Sequence, residues 1–84
     1  MRAMHELGIA ESILEITLRH AGGARVEAVR LVIGELSSYL DNSITFFWDE
    51  LAKGTLAEGS RLEFRQEPGG LDCFVESIEV VERE

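Results

Sequence analysis

Two adjacent glycines, Gly22-Gly23, separate two hydrophobic periods in this chain, and that switch constrains the fold more than any other feature. Before them, Leu7, Ala10, Ile13, Leu14, Thr17 and Ala21 recur at three- and four-residue steps, the apolar stripe of an amphipathic helix over about residues 7–20. Glu11, Glu15 and Arg19 share the opposite face, where Glu15 and Arg19 can pair across one turn. The glycines end the helix because they accept the left-handed cap conformation at little cost. After them, residues 26–33 alternate as a strand does, with Val29, Leu31 and Ile33 on one face and Val26, Ala28, Arg30 and Val32 on the other. The fold therefore mixes helix and sheet.

The rest of the chain continues that pattern. Gly34-Glu35-Leu36-Ser37-Ser38 breaks the strand, and Tyr39-Leu40-Asp41-Asn42-Ser43 offers capping side chains to a second helix over about residues 44–53. Ile44, Phe47, Trp48 and Leu51 supply its apolar face, and Gly54 stops it. The run Phe46-Phe47-Trp48 reads as core, since few other large side chains are present to fill one. Residues 61–67 alternate most cleanly, with Leu62 and Phe64 inward and Arg61, Glu63, Arg65 and Glu67 outward. Pro68-Gly69-Gly70 turns the chain into a last strand over about residues 74–81, with Ile78 and Val80 on one face and Val75 and Val81 on the other.

This order predicts an α+β, two-layer sandwich of two helices on a three-stranded sheet, α-β-α-β-β. The helix between the first two strands permits a parallel pair. The short connector between the second and third strands predicts an antiparallel hairpin. The uncovered face, with Val26, Val32, Val75 and Val81, together with the strand edges, would then invite self-association.

With 84 residues the chain makes one domain, residues 1–84. Its net charge of -8, with Arg30, Lys53, Arg61 and Arg65 interspersed among acids, argues against nucleic acid as a partner. No apolar run is long enough to span a membrane, and Met1-Arg2-Ala3-Met4 lacks the apolar core of a signal peptide, which favours the cytoplasm. The single cysteine, Cys73, permits neither an internal disulfide nor a four-cysteine zinc site, and reads as a small buried hydrophobe. No Ser-His-Asp order, phosphate-binding glycine loop or paired carboxylates with a base stand out, and a lone Glu35 makes no mechanism, so the chain does not read as an enzyme.

The chemistry-bearing string is Met4-His5-Glu6-Leu7, just ahead of the first helix. An imidazole at a chain terminus can reach a metal and recruit preceding backbone amides. Those amides lose their protons to Ni(II) or Cu(II) and give the square-planar nitrogen coordination both ions favour. Taken alone, His5 is more often a polar residue at a helix start. His20 has a structural explanation, in the last turn of the helix where its charged form suits the dipole.

Four ordered strings raise the metal reading. Met4-His5-Glu6-Leu7-Gly8-Ile9-Ala10-Glu11-Ser12-Ile13-Leu14 resembles the N-terminus of the hydrogenase maturation nickel chaperones, the HypA/HybF family. Val29-Arg30-Leu31-Val32-Ile33-Gly34-Glu35-Leu36-Ser37, Lys53-Gly54-Thr55-Leu56-Ala57-Glu58-Gly59 and Phe74-Val75-Glu76-Ser77-Ile78-Glu79-Val80 resemble its first strand, its linker after the second helix and its final strand. The resemblance implies a carrier of Ni(II) for [NiFe] hydrogenase, and in some members for urease. It implies two partners, a nickel-binding maturation GTPase and the hydrogenase large subunit. It also implies ligands at the Met-His-Glu start, which map onto Met4, His5 and Glu6, with Asp41 the nearest match to an acidic residue implicated after the first strand.

The chain departs from the family pattern twice. A zinc domain with two CxxC pairs is expected between about residues 68 and 73, where only Pro68-Gly69-Gly70-Leu71-Asp72-Cys73 stands. Zinc is therefore not expected, and an engineered deletion is favoured over a natural truncation. Met1-Arg2-Ala3 also precedes Met4 and moves the terminal amine away from His5, which weakens a chelate built from amides alone. The competing reading is an interaction module that keeps the partner surface without useful metal binding. A homodimer, with exchange of the last strand across the short Gly69-Gly70 hinge, is a further expectation.

Overall fold

The computed structural model describes residues 2–81, with side chains described from His5 onward. It has α1 (Arg2–Ala21), β1 (Val26–Gly34), α2 (Asp41–Leu51), β2 (Arg61–Glu67) and β3 (Cys73–Val80), the expected order and α+β class. No helix among the described residues is long and apolar enough to cross a membrane.

The strands run in the order β2-β1-β3, with β1 parallel to β2 and antiparallel to β3. The parallel pair is as expected, but the β2–β3 hairpin does not form. β1 is apolar on both faces, and Ala28, Val29, Leu31 and Val32 are fully buried. Such a strand belongs in the centre, and the more polar β2 and β3 take the edges. The connector between them therefore crosses the end of β1. It is stitched there by Gly34 N–H to Asp72 O at 2.7 Å, Leu36 N–H to Gly70 O at 2.9 Å and Glu35 N–H to Glu67 O at 2.9 Å. The Glu35 carboxylate accepts Gly69 N–H at 3.1 Å. A side chain at Gly34 would place its Cβ 2.7 Å from Leu71 N, so the crossing requires glycine.

Two compensating irregularities correct the predicted strand faces. Between Val26 and Ala28, β1 carries one residue more than β3; between Arg30 and Leu31, β3 carries one more than β1. Each extra residue reverses the alternation beyond it. Val26 thus joins Val29 and Leu31 in the core, and Val75 lies on the core side with Ile78 and Val80. The predicted valine-bearing face is mostly ionic instead. Arg30 bridges Glu63 at 3.1 Å and Glu79 at 3.0 Å, Arg61 joins Glu63 at 3.3 Å, and Arg65 joins Glu76 at 2.7 Å.

α1 buries Ala10, Ile13, Thr17 and Ala21 against α2 and the sheet, and Gly22 and Gly23 follow at φ 59 and 88. Glu15 and Arg19 pair at 3.8 Å on its exposed face. α2 starts three residues earlier than expected and buries Ile44 and Trp48. The indole N–H of Trp48 donates to Ser60 Oγ at 2.9 Å, and that hydroxyl donates to Ala57 O. Phe47 packs on the core, but Phe46 is 64% exposed and does not belong to it.

Candidate metal centre

The first helix begins at Arg2, so His5 stands inside α1 rather than ahead of it. Its imidazole is exposed. Successive helical residues are rotated by about 100°, and Glu6 accordingly turns inward, only 1% exposed. Glu6 Oε2 accepts the N–H of Leu40 at 2.8 Å, and its Oε1 is buried without a hydrogen-bond partner among the described residues. Leu40 is the N-cap of α2, and its own side chain makes no capping hydrogen bond. The carboxylate therefore reaches across from α1 to the start of α2, where the positive end of the helix dipole favours it.

Glu6 also has a packing role, which its place in the Met-His-Glu start does not imply. Glu6, Ala10, Ile13, Thr17 and Ala21 follow one helical stripe, at steps of four, three, four and four. An acid standing on an apolar stripe is the signal that could have revealed it. Because the carboxylate is occupied inside, Glu6 can serve an ion beside His5 only through its backbone nitrogen.

Asp41 is the first residue of α2, one position after Leu40. It is exposed, and its Oδ1 accepts the N–H of Asn42 at 2.7 Å. The Glu6–Leu40 bond thus brings the start of α2 to the beginning of α1, but Asp41 does not complete a cluster. No group of three or more His, Cys, Asp or Glu side chains is arranged to hold a metal among the described residues. The Met4 side chain and Met1 lie outside the described residues, and of Met4 only the helical backbone is placed. The donors that remain are the exposed imidazole and the backbone nitrogens around it. The first four N–H groups of a helix have no intrahelical acceptor, so some of these nitrogens are free of the ladder.

His20 sits about 22 Å farther along the helix, from 1.5 Å of rise per residue. It lines a groove of about 280 Å³ with Ile16, Val75, Glu76, Ser77 and Ile78. Cys73 is half-buried beside Ile33, and burial pushes its thiol up to about 11, which suits a packing residue rather than a thiolate ligand.

A family model described as hydrogenase/urease nickel incorporation, metallochaperone, HypA matches residues 4–83. The chain belongs to the HypA family. The match begins at Met4, the residue before the exposed imidazole. Similar HypA relatives include the hydrogenase maturation factors HypA of Geobacter metallireducens, 43% identical over 83% of this chain and 64% of the relative, and of Nostoc punctiforme, 44% identical over 79% and 58%. That of Nostoc sp. is 41% identical over 83% of this chain and 62% of the relative. The chain thus spans about three-fifths of the length of these HypA proteins. HypA is a metallochaperone family and not one of enzymes.

Proposed function

We propose that this chain carries Ni(II) at Met4-His5-Glu6 and delivers it during [NiFe]-hydrogenase maturation. The observation that carries the reading is an exposed imidazole at the second position of a match to a nickel-incorporation family. His5 supplies the imidazole and Met4 and Glu6 supply backbone nitrogens, with Asp41 an outlying contributor. A chelate at a helix start suits a carrier, because the His5 imidazole lies at the surface and the ion can leave by exchange. The partners of this reading are a nickel-binding maturation GTPase and the hydrogenase large subunit. Compartment follows from the same reading: such a chaperone works in the cytoplasm.

The connection at residues 68–72 and the single Cys73 support reading the chain as a HypA nickel domain from which the zinc module has been removed. Circular dichroism in a chelator tests this: helix and sheet signals persist, whereas their loss would mean that a metal holds the domain together. A homodimer through the strand edges is also proposed, since among the described residues β2 and β3 both present unpaired outer edges. Light scattering over a concentration series tests it, and a monomer mass throughout would reject it.

Isothermal titration with Ni(II) tests the central reading. His5→Ala abolishes most stoichiometric binding and His20→Ala leaves it. Equal loss in both, or none in the first, sinks the assignment. A second reading, a metal-free interaction module, is favoured by one observation: the backbone that would chelate is wound into α1. Absence of stoichiometric binding, both in this chain and in one beginning at Met4, would select it.

A further inference from the structure

Helical N–H groups all point along the axis toward the N-terminus, so consecutive backbone nitrogens of α1 cannot converge on one ion. A five-membered chelate ring through two such nitrogens needs ψ near 0°, against about −42° in a helix. Loading an ion on the nitrogens of residues 4–6 therefore requires those residues to leave the helix that now contains them. Glu6 is the residue at which that unwinding meets the packed domain. Its neighbour His5 is exposed, while Glu6 itself is buried and bonded to the amide of Leu40, the N-cap of α2.

We propose that the Glu6–Leu40 hydrogen bond is a latch that opens when the N-terminal segment takes up its metal, so that the start of α2 reports the loaded state. This inference rests on nickel binding at His5. The latch is built to be bistable. Glu6 Oε2 gains one charge-assisted bond at the N-terminus of α2, while Oε1 is buried without a partner among the described residues. Burying half a carboxylate unpaired opposes the bond that holds it in. Turning Glu6 outward relieves that burial and leaves the Leu40 amide uncapped. The surface that changes contains Leu40, 47% exposed, and Phe46, 64% exposed, follows six residues on, nearly two helical turns away. A partner seated on the first turns of α2 could thereby distinguish loaded from empty chaperone. By linkage, whatever favours one latch state alters nickel affinity in proportion.

The test uses the full chain, Ni(II) salt as the probe, and amide hydrogen exchange read residue by residue. Saturating Ni(II) should raise exchange at Leu40 by roughly tenfold, the scale of one lost charge-assisted bond, with the amide of Leu31 in the central strand unmoved. His5→Ala should remove the Leu40 response. Glu6→Gln, which keeps the backbone nitrogen and an acceptor but loses the charge, should tighten Ni(II) binding several-fold, roughly three- to tenfold. A role limited to holding the helices together would leave affinity unchanged. Binding at His5 with no change at Leu40 overturns the latch and leaves the nickel reading standing. Unchanged or weaker binding by Glu6→Gln also overturns the latch. No binding at His5 overturns both.

Discussion

Arg65 on β2 and Glu76 on β3 meet at 2.7 Å although their strands never pair and β1 runs between them. The pair spans the sheet above the central strand, and with Arg30, Glu63, Arg61 and Glu79 it covers a face that would otherwise expose Ala28 and Val32. Glu76 is the residue by which β3 exceeds β1 between Ser77 and Val75, so the irregularity in pairing and the ion pair occur together.

Acid should reveal this pair. The hydrogen bond from Arg65 is the main cause that holds the Glu76 carboxyl below its ordinary 4.5; slight burial opposes it and the Arg65 and Arg30 charges add to it. A carboxyl depressed in the folded state contributes stability above its unfolded pKa and loses it as pH falls through the folded one. The melting temperature should therefore fall more steeply below about pH 4.5 in the native chain than in Glu76→Gln. Parallel acid limbs in thermal melts from about pH 6 to pH 3 would show that the pair contributes nothing.

Gly34→Ala should destabilise the domain by about 1–3 kcal/mol or more, the range for forcing extra volume into a packed site. The added carbon meets backbone of the β2–β3 connector rather than a movable side chain. Urea unfolding gives the difference directly, and a loss below about 0.5 kcal/mol, the ordinary surface value, would show that the crossing tolerates a side chain.

Ser60→Ala removes the acceptor of the buried Trp48 N–H. Leaving that donor unpaired should cost about 1–3 kcal/mol. The chain has one tryptophan, so its emission follows this site alone. The expected result is a lower urea midpoint together with a changed Trp48 emission maximum. An unchanged midpoint would mean that another acceptor replaces the hydroxyl.

Cys73 should resist thiol reagents at neutral pH and react on unfolding, since its thiol is pushed up to about 11 by burial. The sign for stability follows. A thiol raised above its unfolded value of 9.0 contributes stability below that pH and loses it as pH rises toward 11. Reaction with an aromatic disulfide reagent in the presence and absence of urea measures the first effect. Equal rates in the two conditions would contradict the burial.

Local patterns in the sequence determined the elements of this protein and their order. The 3.6-residue stripe of α1, its stop at Gly22-Gly23 and the alternation of β1 and β2 depend on neighbours in the chain, and so they were legible from it. The family resemblance of Met4 to Leu14 was legible for the same reason. Strand order was decided by the tertiary structure. β1 takes the centre because only it is apolar on both faces, and that competition between strands overrides the short β2–β3 connector. The faces of Val26 and Val75 were likewise decided by pairing, since a one-residue irregularity in register reverses alternation without any mark in composition. Glu6 shows both sides: its place on the buried stripe stands in the sequence, but its partner, the Leu40 amide 34 residues away, exists only once α1 and α2 pack.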